Sequence, residues 1–258
     1  MTPTQQTAAA QQGFHWFRYA APQEFYRAAG KAVPVCAALA ALLCAAALYM
    51  GFFVAPSDAQ QGEVYRIIFI HVATAWMAMF VYVVMAFWSA MGLIFNTRMS
   101  AIMASALAPT GALMAFLALW TGALWGRPTW GAYWVWDARM TSTLILFFLY
   151  MGFLALHGAI DDARRADRAA GVLALVGVVN VPVIYFSVQW WNSLHQGSSI
   201  GMGKGLTIAA PMAEAMLLMV LACWMYCIAA ALSRARAIVL ERERAALWVR
   251  ELAAAGRA

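Results

Sequence analysis

The stretch RIIFIHVATAWMAMFVYVVMAFWSAMGLIF, Arg66–Phe95, decides the fold. Beyond Arg66 it carries no Asp, Glu, Lys or Arg, and roughly 20 such residues in a helix suffice to cross a bilayer. Lipid offers nothing to an open amide or carbonyl, so a run of this kind crosses as a helix that closes its own hydrogen bonds. It is longer than the apolar layer requires, which predicts tilt or protrusion.

Working outward, five more runs reach spanning length: Val33–Val54, Ala101–Leu124, Met140–Ile160, Gly171–Trp190 and Leu206–Leu232. Of 258 residues, 65% are hydrophobic and 11% charged, whereas a soluble domain is about half apolar and a quarter charged. The expected architecture is all-α: a polytopic membrane protein with six transmembrane helices over residues 33–232. Tails at 1–32 and 233–258 leave no room for a large soluble domain. About thirty largely polar residues precede the first apolar run, which is longer than the roughly 7–15 residue core of a cleavable signal, so that run is expected to stay in the membrane. Cys36, Cys44, Cys223 and Cys227 lie in apolar runs and form no C-x-x-C or C-x-x-C-H pattern. They read as packing residues, neither a redox pair nor an attachment site.

Charge sets the orientation. The net charge of +6 is read as a topology signal and not as a nucleic-acid surface. Arg18, Arg27 and Lys31 precede the first span, Arg98 follows the second, and Arg164, Arg165 and Arg168 follow the fourth. The tail adds Arg234, Arg236, Arg242, Arg244, Arg250 and Arg257. All of these fall on one side, and only Arg66, Arg127, Arg139 and Lys204 do not. The positive-inside rule then places both termini in the cytoplasm, as expected of a multi-pass protein of a bacterial inner membrane. The tail mixes both charge signs with apolar residues at near-helical spacing, which predicts a helix on the cytoplasmic lipid surface or a docking element for a partner.

The other side holds the unusual residues. His71 enters the second span by one to two turns, and His195 lies in the connection Trp191–Gly205 beside Asn192, Ser193 and Gln196. Two imidazoles on one side at similar depth can take the two axial positions of haem iron. Thr74, Ala75 and Ala78 share the His71 face and permit close approach of a helix or a flat ligand. His15 and His157 fall on the opposite side and read as ordinary packing residues. Between the two outer histidines, in segment 120–141, stand Trp125, Trp130, Trp134, Trp136 and Tyr133. Were the chain helical beyond Gly131, Trp130, Tyr133, Trp134 and Asp137 would share one aromatic face able to stack on a porphyrin. Arg127 and Arg139 would then reach carboxylates. The plainer reading of the segment is a re-entrant interfacial anchor.

Trp130–Asp137, WGAYWVWD, resembles the tryptophan-rich "WWD" signature of the haem-handling family of cytochrome c maturation. The six-span layout, the outer histidines and the short cytoplasmic loops resemble its small branch, haem exporter C (CcmC), across nearly the whole chain. The resemblance implies non-covalent haem b at the periplasmic face with His71 and His195 as axial ligands. It also implies that Trp125–Asp137 contacts the haem and a periplasmic haem chaperone, CcmE. Further partners so implied are a small single-span subunit, CcmD, and the ABC transporter pair CcmA and CcmB. No Walker motif is present, consistent with a delivery subunit that is neither an ATPase nor another enzyme.

Other polar residues enter the spans. Glu214 is expected about 12 Å below the start of the sixth span, either lining a path or bonding to a neighbouring helix. Asn180 and Pro182 predict a kink in the fifth. Alternative functions are a bis-histidine b-type electron-transfer cytochrome, a transporter whose helices form the haem path, and an enzyme using Asp137 as an acid. Asp137 lacks a second carboxylate or nucleophile nearby and reads as a residue that orients its loop through the backbone or Arg139.

Overall fold

The computed structural model describes residues 21–191, 193–195 and 208–256, which form helices and connections without a β-strand. His15, Arg18, Asn192, Gln196, Lys204, Arg257 and the expected start of the sixth span at Leu206 lie outside the described residues.

Helices α1 (Pro22–Tyr49), α2 (Ile68–Phe95), α3 (Arg98–Trp130) and α4 (Ala138–Ala159) are followed by α5 (Ala163–Gly177), α6 (Asn180–Trp190), α7 (Ala210–Arg242) and α8 (Leu247–Ala254). With α5 and α6 taken together, six units are long and apolar enough to cross a membrane. The helices outrun the apolar stretches because backbone hydrogen bonding does not stop where hydropathy does. α1 starts at Pro22, whose fixed φ and missing N–H suit a first turn. α3 begins at Arg98 and continues past Leu124 to Trp130, where Gly131 ends it at φ 79°, a conformation cheap only for glycine.

The kink expected near Pro182 is a break. Pro182 has no N–H to give the Val178 carbonyl, and the Val181 N–H takes that carbonyl in a tighter turn at 3.0 Å. Asn180 Nδ2 donates to the Ser142 carbonyl at 2.8 Å, fixing the break against α4.

Tyr82, Met77 and Met85 of α2 and Leu146, Tyr150 and Phe153 of α4 fill the centre of the bundle. Ala104, Ala108, Ala112 and Ala115 of α3 face them, and such small residues let neighbouring backbones close in. Tyr150 donates to the Ala78 carbonyl at 2.8 Å. Thr74 and Ala78 are buried, and the Thr74 hydroxyl donates to carbonyls of its own helix. Those two residues thus belong to helix packing and not to an open ligand face.

The tail does not begin a new helix at Leu232. α7 continues to Arg242, with Ala235 and Val239 buried against Ile102 and Ala106 of α3. Arg242 grips both Asp167 oxygens at 2.7 and 2.8 Å. α8 turns back so that Trp248 meets the Tyr26 ring at 5.7 Å. Glu214 stands one turn into α7, about 6 Å from its start, and is exposed on the outside of the bundle. This corrects its expected depth of about 12 Å.

Candidate functional site

His71 lies in the first turn of α2 and meets the end of α3. Its Nδ1 is 3.0 Å from Thr121 Oγ1, and the Thr121 hydroxyl donates to the Leu117 carbonyl at 2.7 Å. With its proton committed there, Thr121 can only accept from the ring. His71 therefore carries its proton on Nδ1 and leaves the Nε2 lone pair free. The neighbouring position is Gly122, where an added Cβ would stand 3.0 Å from His71 Cε1. A methyl there would make the ring shift by a few tenths of an ångström.

His195 is arranged the same way by a different partner. Its Nδ1 is 3.0 Å from Asp137 Oδ2, which also accepts from Ser193 Oγ at 2.6 Å. The other Asp137 oxygen caps α4, accepting from the Met140 N–H at 2.7 Å. Burial pushes the Asp137 carboxyl up, but bonds from Ser193, Met140 and His195 outweigh it and hold it below the usual carboxylate range. Burial lowers the imidazolium pKa of His195, only partly offset by Asp137. The pair at neutral pH is thus a carboxylate accepting Nδ1–H from a neutral imidazole, again with Nε2 free. Side-chain exposure is 15% for His195 and 6% for Asp137.

The aromatic segment forms no helical face. The chain from Gly131 to Asp137 is irregular, because α3 has already ended at Gly131 and Asp137 is the N-cap of α4. The expected alignment of Trp130, Tyr133, Trp134 and Asp137 is therefore corrected: each is placed separately. Trp125 donates to Gln61 Oε1 at 2.7 Å and presents its ring edge-on to His71 at 5.6 Å. Trp130 packs against His195 at 4.9 Å. Trp134 and Trp136 meet edge to face at 5.3 Å. Trp136 is 75% exposed, whereas Trp134 Nε1 is buried without a hydrogen-bond partner.

The two arginines differ as well. Arg127 turns back on its own loop, donating to the Gly131 carbonyl at 2.8 Å and lying over the Tyr133 ring at 5.8 Å. Arg139 leans towards α6 through long contacts of 3.3–3.4 Å to Ser187 Oγ and the carbonyls of Ile184 and Tyr185. Arg139 and His195 both lie close enough to His71 to share one site with it. The structure thus brings together His71, His195, Trp125, Trp130, Asp137 and Arg139, while Arg127 and Trp136 lie at the rim. Thr121, Gly122, Gln61 and Ser193 complete the site. Only Ser193 was visible in the sequence, as a neighbour of His195.

Two imidazoles each packed against an indole, and one buried indole N–H without a partner, form a donor set that fits an iron porphyrin with acidic side groups.

The family model described as "Heme exporter protein C" matches residues 15–250. The chain is 43% identical to the heme exporter protein C of Haemophilus influenzae over 235 residues, 91% of this chain and 96% of that one. It is 48% identical to the Escherichia coli K12 protein of that name over 180 residues, 70% of this chain and 74% of that one. A 50% match to the Bradyrhizobium diazoefficiens heme exporter protein C covers 69% of this chain and 68% of its counterpart. A multi-pass helical bundle whose residues 15–250 match this family model, and which aligns with the Haemophilus influenzae protein over 91% of its own length, belongs to the heme exporter protein C family.

Proposed function

We propose that the protein binds haem non-covalently at the periplasmic face of the inner membrane and presents it to a periplasmic haem chaperone for c-type cytochrome biogenesis. His71 and His195 are the axial ligands. The protein works with the ABC transporter subunits CcmA and CcmB, the small subunit CcmD and the chaperone CcmE, and contributes no ATPase of its own. The observation that carries this reading is the matched setting of the two imidazoles: His71 Nδ1 lies 3.0 Å from Thr121 Oγ1 and His195 Nδ1 lies 3.0 Å from Asp137 Oδ2, an arrangement in which each ring holds its proton on Nδ1 and can offer Nε2 to a metal.

Haem iron supplies two axial coordination positions. The chain's residues do the rest. Thr121 and Asp137 fix the ring tautomers, as outer-shell partners of metal-bound histidines commonly do. Trp125 and Trp130 pack against the two imidazoles and keep water from them. The unpartnered Trp134 N–H and the weakly held Arg139 are suited to haem carboxylates, and Arg127, engaged with its own loop, is the lesser candidate. Exposed Trp136 lies where a chaperone would approach. A basic majority on the opposite connections supports the orientation.

The test is the Soret spectrum of the purified protein. Wild type should show a bis-histidine spectrum, and the double substitution His71→Ala, His195→Ala should abolish it. Persistence of that spectrum in the double variant would reassign the ligands.

A further inference from the structure

At the end of the bundle opposite His71 and His195, the ends of α2 and α4 and the starts of α3 and α5 line an open cavity of about 240 Å³. Its lining includes Asn96, Thr97, Arg98, Arg164 and Arg168 together with Leu93, Phe153 and His157. We propose that this cavity binds a phosphate group, that of an anionic phospholipid headgroup or of a free phosphate.

Charge is the first argument. Arg98, Arg164 and Arg168 line the cavity, and none of the three has an ion pair or hydrogen bond among the described residues. The one carboxylate in the lining, Asp167, is already committed. Arg242 takes both its oxygens at 2.7 and 2.8 Å, and His157 Nε2 lies 3.1 Å from Oδ1. The cavity is thus left with three uncompensated guanidinium groups, the donor type best suited to phosphate oxygens.

A second, independent observation lies at the cavity wall. Ser89 is 4% exposed and its Oγ has no hydrogen-bond partner, yet the residue lines this space. A buried hydroxyl left unpaired costs free energy, and a bound oxygen would remove that cost. The lining sets the three arginines beside apolar Leu93, Ala101, Ala104 and Phe153, and Ile94 and Phe95, which follow Leu93 in the chain, are exposed. An acyl chain leaving the cavity would find an apolar surface there. At about 240 Å³ the space suits a headgroup and not a macrocycle with its side groups.

The experiment uses the full-length protein, purified and then delipidated in detergent. Native mass spectrometry would count retained or re-added lipid, comparing phosphatidylglycerol with phosphatidylcholine. A parallel arm measures stabilisation by inorganic phosphate. Binding of one phosphatidylglycerol per chain in preference to phosphatidylcholine identifies the lipid source, and saturable stabilisation by phosphate alone identifies the free anion. The combined variant Arg98→Gln, Arg164→Gln, Arg168→Gln should weaken either by about a hundredfold, from the attraction of three cations to an anionic group. Arg165→Gln, on the same helix but outside the lining, should leave binding intact. Ser89→Leu, which fills the space without changing charge, should abolish it. Retention unaffected by the triple variant and Ser89→Leu in folded protein, or an equal loss in Arg165→Gln, overturns the proposal.

Discussion

Replacing Asp137 by Asn isolates the role of one hydrogen bond at the candidate site. Asn caps a helix about as well as Asp, so the start of α4 and its 2.7 Å bond from Met140 should survive. What disappears is the negative acceptor 3.0 Å from His195 Nδ1. A neutral amide can turn its NH2 group towards the ring, and His195 is then free to carry its proton on Nε2, the atom needed for iron. Loss of an outer-shell partner of a metal-bound histidine typically weakens binding by about 10- to 100-fold, or about 1.4–2.7 kcal/mol. Asp137→Ala should lose this and also about 1 kcal/mol of capping, while releasing Ser193 from its 2.6 Å bond. Haem titration followed at the Soret band, paired with melting temperature in the same detergent, separates the two effects. Asp137→Asn should bind haem more weakly at an unchanged melting temperature, and Asp137→Ala should lose both. Unchanged haem affinity in Asp137→Asn refutes the orienting role, and a melting temperature depressed equally in both variants refutes the separation of cap from ligand.

Three further outcomes follow from the geometry. Gly122→Ala drives a methyl to 3.0 Å from His71 Cε1. It should displace the ring and weaken haem binding about tenfold or more, read at the Soret band, while circular dichroism stays helical. Because burial lowers the His195 pKa, protonation competes with ligation only in acid. Haem retention should be flat from pH 8 to about 6.5, the ordinary histidine value, and fall below it; a midpoint above 6.5 would contradict the burial argument. Asp167→Asn breaks the paired bonds to Arg242 and should cost about 1–3 kcal/mol. It should appear as a lower melting temperature with haem affinity unchanged, since the cluster lies at the other end of the bundle.

Much of this architecture was legible because a bilayer imposes a single crude filter. Six apolar runs had to be helices, and the structure has six helical units long and apolar enough to match them. Hydropathy could not mark the helix ends, as α3 shows: its final turns, from Trp125 to Trp130, are interfacial in composition but still close i to i−4 bonds. The same gap misled the reading of the aromatic segment, whose spacing suggests a helix that Gly131 and the Asp137 cap forbid. His71 and His195 stood out because imidazoles are rare in such a chain. Their anchors did not. Thr121 lies 50 residues from His71 and Asp137 lies 58 from His195, and neither pairing leaves a local trace. Gln61, 64 residues from Trp125, was hidden likewise.

The unlike anchors of the two imidazoles have a consequence for how a ligand would leave. A ring sharing its proton with a carboxylate gains imidazolate character and donates more electron density than one bonded to a neutral hydroxyl. Were both imidazoles to hold iron as proposed, His195, on Asp137, would be the stronger base towards it and His71, on Thr121, the weaker. The strength of the hold would then be graded from one side of the site to the other. A graded pair would give departure a sequence, with the helix-borne histidine yielding first while the loop-borne one still holds.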